Sequence, residues 1–246
     1  MLNELRKNIA MIISPAEKYL FIRIPKTAGT AVTAALLKCK GQGFCSIRDG
    51  DGIDHEILTH SGALQMQGIL GNDYRKFFRF SVVRNPWDRM VSLYHFKLHS
   101  AQQRLSGKRK CKPGLTLEDD NREVITMSTL GFKRWFLEGD CEVDMFGESL
   151  TRLPQLCWLT DESGQIIVDK VIRFEELEKG FDEIKARVTA NFDVPKGTPS
   201  LRAPWQLYYD QESFECLQTR FASDIELLGY QTSWAEVKEF QDQFNS

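Results

Sequence analysis

Lys26, Thr27 and Thr30 stand close together in Pro25-Lys26-Thr27-Ala28-Gly29-Thr30, which packs a cation and two hydroxyls into a short glycine-containing stretch. Residues of these types can hold a phosphate-like anion: the lysine brings a full charge, the threonines bring hydroxyl donors, and the backbone amides complete the cradle. A second set follows in Arg84-Asn85-Pro86-Trp87-Asp88-Arg89-Met90-Val91-Ser92. There Arg84 and Ser92 are spaced to put a guanidinium and a hydroxyl on one phosphate.

Both sets need elements that aim them. Tyr19 to Ile24 is an apolar, β-like run, and Ala31 to Leu37 is helix-like. Strand, loop and helix in that order point loop amides and the positive helix end at a bound anion. Phe78 to Val83 is a second strand feeding a second helix, with Asn85 as its N-cap, Pro86 at the first helical position and Asp88 at the third. Two anion elements at two strand ends, in a chain that repeats strand then helix, predict an α/β fold with a P-loop-like central parallel sheet and helices on both faces. The loop is not a Walker A sequence. That motif reads G-x-x-x-x-G-K-[ST], whereas here the lysine precedes the glycine.

Taken together, the two elements resemble the nucleotide-binding signatures of sulfotransferases that use 3'-phosphoadenosine-5'-phosphosulfate. The likeness is to the carbohydrate type, which includes chondroitin 4-O and heparan 2-O enzymes and small bacterial members. It implies a sulfotransferase fold in which Lys26, Thr27, Ala28, Gly29, Thr30 and Ala31 grip the 5'-phosphosulfate while Arg84 and Ser92 grip the 3'-phosphate. The product would be adenosine 3',5'-bisphosphate, with no metal required. Further landmarks are Leu153-Pro154-Gln155, Val168-Asp169 through Ile172-Arg173-Phe174-Glu175-Glu176-Leu177, and Asp224 to Tyr230, so the likeness covers nearly the whole chain. Two departures stand out. Ala31 occupies a place where members commonly carry serine, and Thr198 to Pro204 is poorer in Asn, Lys and Ser than the family's lid-like stretch.

Sulfuryl transfer in line between the donor's phosphate oxygen and an acceptor oxygen or nitrogen asks the protein mainly for positioning and charge stabilisation. Lys26 is the candidate to meet the charge that builds on the leaving oxygen. An acceptor hydroxyl must also lose a proton, and the chain offers His55, His60, His95 and His99. The resemblance favours His60, since the heparan 2-O branch has its catalytic histidine a little over twenty residues before the 3'-phosphate arginine. His55 is the reserve, and His60 could instead cap the helix starting at Ser61. His95 and His99 sit one helical turn apart without a third ligand in view, so a surface or core role is expected. Arg173 reads as structural, and Arg89 faces either acceptor or solvent.

Composition bounds the rest. A chain of 246 residues with 42% hydrophobic content suits one domain over residues 1–246. A net charge of −2 gives no basic field for nucleic acid. No run approaches a membrane span and no secretory signal opens the sequence, which predicts a soluble, cytoplasmic protein and, by the resemblance, a bacterial-type member. Six cysteines without a C-x-x-C pair are expected as free thiols. The first sixteen residues read as an amphipathic lead-in without chemistry. Residues 100–123 lose periodicity and carry Lys108-Arg109-Lys110-Cys111-Lys112, so a lid or acceptor-binding insertion is expected at about 100–158, with a solvated basic loop as the plain alternative. Helices are expected at 61–70, 129–138, 175–188, 209–228 and 234–244, with strands across 166–174. The expected acceptor group is a hydroxyl, with an amine or guanidine nitrogen as the alternative, on a saccharide or polar small molecule such as a secondary metabolite; a small-molecule kinase and a silent nucleotide-binding scaffold are the rival functions.

Overall fold

Ile12 and Ile13 are both buried, and so are all four residues of Tyr19–Ile22. A strand covered on both faces shows no apolar–polar alternation. That is why the first sixteen residues read as a lead-in although they hold a strand. In the computed structural model of the protein, residues 12–15, 17–38, 61–108, 116–138, 153–187 and 202–246 are described. By their contacts these fall into two compact units, Met1–Arg84 with Gln155–Pro199, and Asn85–Pro154 with Ser200–Ser246.

The first unit is built on a sheet of β1 (Ile12–Ser14), β2 (Tyr19–Ile22), β3 (Phe78–Val83) and β4 (Lys170–Arg173), in that spatial order. Ser14 Oγ accepts the Glu17 amide at 3.2 Å and closes the turn that returns β1 antiparallel onto β2. The remaining pairs are parallel, with Phe21 opposite Phe80 and Val82 opposite Ile172. The expected parallel sheet is therefore mixed at one edge. One face carries Tyr19, Phe21, Phe80, Val82 and Ile172 against Val32 and Leu36 of α1 (Gly29–Lys38) and against Leu177, Phe181 and Ile184 of α5 (Leu177–Arg187). A short helix, α2 (Ala63–Leu70), and a 3₁₀ turn at Gly71–Lys76 lead into β3. Asp169 docks β4: its amide donates to the Arg79 carbonyl at 2.8 Å, and its carboxylate accepts the Arg79 amide and Nε, each at 2.7 Å. Of the strands expected across 166–174, Lys170–Arg173 joins the sheet, while Ile166 makes an isolated bridge to Thr160.

Gly180 lets α5 lie directly on β4. A Cβ there would come 2.3 Å from Ile172 Cγ2. Alanine gains about 1 kcal/mol over glycine in helix propensity, but overpacking a well-filled core costs about 1–3 kcal/mol. Gly180→Ala is therefore expected to lower stability in chemical denaturation; a neutral or stabilised variant would show that α5 can lift from the sheet without loss.

The second unit is helical. It comprises α3 (Pro86–Leu105), α4 (Leu117–Glu138), a 3₁₀ turn at Trp205–Tyr208, α6 (Gln211–Arg220), α7 (Ala222–Leu227) and α8 (Trp234–Phe244). Asn85 caps α3 by accepting the Asp88 amide at 3.1 Å, and Asp210 and Ser233 form capping boxes on α6 and α8. The core is aromatic, with Trp87 stacked on Phe214 at 4.8 Å and on Trp205 at 5.8 Å. The single long helix expected at 209–228 breaks at Phe221, whose ring is buried in this core, and Gly229 takes the left-handed φ of 70° that ends the run. Residues 100–105 and 117–123, expected to be irregular, are helical. The polar pattern misleads there because Arg104 and Asp120 are buried against each other. α4 also extends past the expected 129–138 in its N-terminal direction, interrupted at Gly131 (φ 71°, ψ 179°), a backbone region that is essentially glycine's own. Among the described residues no helix is long and apolar enough to cross a membrane. Cys157 and Cys216 are free thiols; the other four cysteines lie outside the described residues.

Candidate active site

The run Ile24 to Ala28 leaves β2 and turns sharply into α1. Lys26 and Ala28 hold left-handed φ values of 69° and 64°, which cost a side-chain-bearing residue on the order of 1–2 kcal/mol each. Alternating backbone handedness turns successive amides toward one concave side. The first turn of α1 adds amides that have no intrahelical acceptor. The Thr27 side chain is fully buried and its Oγ1 donates to the Ile24 carbonyl at 3.0 Å. Its hydroxyl hydrogen thus ties the loop to the strand end and is not offered to an anion. Ala28 O accepts the amides of Ala31 at 2.9 Å and Val32 at 3.0 Å, which starts the helix and engages the Ala31 amide internally.

Arg23 is a residue that sequence reasoning passed over. Its Nη2 donates to Thr30 Oγ1 at 3.1 Å, and its stem lies across Gly29. A Cβ on Gly29 would meet Arg23 Cγ at 2.7 Å and Nε at 2.8 Å, so any side chain there would displace the arginine from this position. Burial lowers the pKa of the Arg23 guanidinium, although arginine stays charged in proteins. The signal was available: a cation directly after the strand that feeds the lysine loop.

Arg84 stands one residue beyond β3. Its Nη1 donates to the Lys26 carbonyl at 3.2 Å, and its guanidinium carbon lies 4.4 Å from the centre of the Phe174 ring. The side-chain amide of Gln155 bonds both sides of the arginine's own backbone, accepting the Arg84 amide and donating to the Arg84 carbonyl, each at 2.8 Å. The fold therefore brings the lysine loop and the strand-end arginine into contact. Arg23 and Arg84 both bond the loop that carries Lys26, at the ends of adjacent parallel strands, a place where α/β sheets bind anionic ligands.

Residues 10–231 match the sequence model of the family described as Sulfotransferase family. The chain belongs to the sulfotransferase family. No curated protein and no solved structure matches it. As a member it is a transferase with the mixed α/β fold, and its family moves sulfuryl groups.

The remaining sequence-predicted residues of this sulfotransferase stand as follows. Ser92 lies in the second unit on α3, half-buried between the buried Val91 and Leu93. His60 and His55 lie outside the described residues, as do residues 109–112 of the basic run. His95 Nε2 meets the Tyr208 hydroxyl at 2.8 Å; burial and then the Arg202 charge hold its ring below the usual histidine range. Arg202 pairs with Asp88, and Arg89 is buried with Nη1 donating to the Leu153 carbonyl at 2.8 Å, so Arg89 faces neither solvent nor an exposed surface. Among the described residues no group of three or more His, Cys, Asp or Glu is arranged to hold a metal ion.

Proposed function

We propose that this sulfotransferase takes its sulfuryl group from 3'-phosphoadenosine-5'-phosphosulfate and passes it to a hydroxyl of a saccharide or polar small-molecule acceptor. What carries the reading is the hydrogen bond from Arg84 to the Lys26 carbonyl, which sets two separately encoded anion elements side by side. The donor has two anionic ends to hold. The left-handed loop and the start of α1 suit the 5'-phosphosulfate, with Lys26 meeting the charge on the bridging oxygen as the S–O bond breaks. Arg84, with its guanidinium over the Phe174 ring, suits the 3'-phosphate through paired N–H donors. For Ser92 and for His60 as the base that takes the acceptor's proton, the support is motif and spacing. Transfer leaves a sulfate ester on the acceptor and adenosine 3',5'-bisphosphate as the other product.

Calorimetric titration with adenosine 3',5'-bisphosphate, beside AMP and ATP with Mg2+, tests this. The bisphosphate is expected to bind tightest. Charge-assisted hydrogen bonds contribute about 1.5–3 kcal/mol, so Arg84→Ala should weaken the bisphosphate roughly ten- to a hundredfold while changing AMP little. Arg84→Lys should recover little of this, because an ammonium offers neither the fork nor the flat face that rests on Phe174. A preference for ATP with Mg2+ would replace this reading with the kinase one.

A further inference from the structure

Gln155 is fully buried at the start of a 3₁₀ turn, Gln155–Trp158, whose Leu156 and Trp158 are also buried. Its amide does for Arg84 what a neighbouring strand does for a ladder residue: it accepts the N–H and donates to the C=O of the same residue, each at 2.8 Å. Arg84 needs such a partner. The β3–β4 register ends at Val83 opposite Arg173, so Arg84 stands past the last paired position of its strand. The turn that carries Gln155 is itself pinned, because Leu159 N bonds Leu156 O at 2.9 Å, Ile167 N bonds Leu159 O at 2.9 Å, and Tyr74 Oη donates to Ile167 O at 2.9 Å.

We infer that Gln155 is the positioning residue for Arg84, fixing the arginine's backbone so that its guanidinium reaches the Lys26 carbonyl and the Phe174 face in the geometry that selects a 3'-phosphate. This rests on Arg84 as the 3'-phosphate ligand. No other uncharged side chain of this length both donates and accepts at one planar amide. A methionine of similar volume would fill the space and release the arginine; a glutamate would keep the acceptor for the Arg84 amide and lose the donor to its carbonyl.

The test is the ratio of affinities for adenosine 3',5'-bisphosphate and AMP, measured by calorimetry in wild type, Gln155→Met, Gln155→Glu, Arg84→Ala and the Arg84→Ala/Gln155→Met double variant, with thermal melts alongside. Loss of an outer-shell partner of a metal ligand typically costs about ten- to a hundredfold in affinity or activity, and the lower end of that range is the expectation for a partner that positions an anion-binding arginine. Gln155→Met is therefore expected to weaken the bisphosphate about tenfold and leave AMP unchanged, and to add nothing once Arg84 is gone. A purely structural role would weaken both nucleotides together. Unchanged selectivity in a folded Met or Glu variant overturns the inference. So does a double variant weaker than Arg84→Ala by the full Gln155 effect, or unfolding of both variants, which would make Gln155 a requirement of the fold alone. Wild-type protein without preference for the bisphosphate would instead overturn the donor assignment, a separate outcome.

Discussion

Lys26→Ala is expected to lower the rate of sulfuryl transfer by about a hundred- to a thousandfold, the usual cost of removing one preorganised group that meets developing charge. With the proposed donor, the loss falls on the chemical step, because the charge on the bridging oxygen appears only as the nucleotide leaves. The position allows a sharper comparison. Lys26 holds a left-handed φ of 69°, which alanine would bear at the same strain and glycine would not. Lys26→Gly should thus be as inactive as Lys26→Ala yet about 1 kcal/mol more stable than it. Strain kept at a residue proposed to meet developing charge is the expected mark of a functional site. The assay is transfer of labelled sulfate from the donor to an acceptor on which the wild type turns over, with melting curves for both variants. A Lys26→Ala enzyme retaining more than a tenth of the wild-type rate would remove the lysine from the chemistry.

The largest effect on stability is expected at Arg104 and Asp120. Their side chains are 4% and 1% exposed, and Arg104 Nε reaches Oδ1 at 2.7 Å and Oδ2 at 2.8 Å while Nη2 also bonds Oδ1. Removing either partner strips a buried charge of its opposite, so Arg104→Ala and Asp120→Ala should each cost about 3–5 kcal/mol. That is a large share of the roughly 5–15 kcal/mol that holds a typical domain folded. Taking both charges away is different: an Arg104→Met/Asp120→Leu pair should recover most of the loss, since a buried ion pair is often replaceable by packed apolar groups. Denaturant unfolding of the two singles and the double decides it. Singles costing under about 1 kcal/mol, or a double no better than they are, would mean the pair is more solvated than its burial indicates.

The same pair shows why part of the fold escaped a reading by pattern. Arg104 and Asp120 count as polar wherever they fall, and polarity without period reads as loop. Their neutralisation by each other becomes visible when α3 and α4 are side by side. Ile12 to Ser14 failed in the opposite way, as a strand with no exposed face to alternate with. Phe221 interrupts a helical pattern because its ring is drawn into the aromatic core, a pull that helix propensity does not register.

What the sequence determined by itself are the features whose physics is local. Proline after an N-cap asparagine, lysine and threonine between a strand and a helix, and glycine at a helix end each act within a few residues, so the strand–loop–helix units, the parallel core of the sheet and the family could be read from them. What the tertiary structure decided are the meetings between distant segments. Arg84 finds the Lys26 carbonyl 58 positions away, and Gln155 clasps the arginine's backbone from 71 positions away. No periodicity encodes such contacts, since their energy exists only once burial has excluded water and fixed both partners in place.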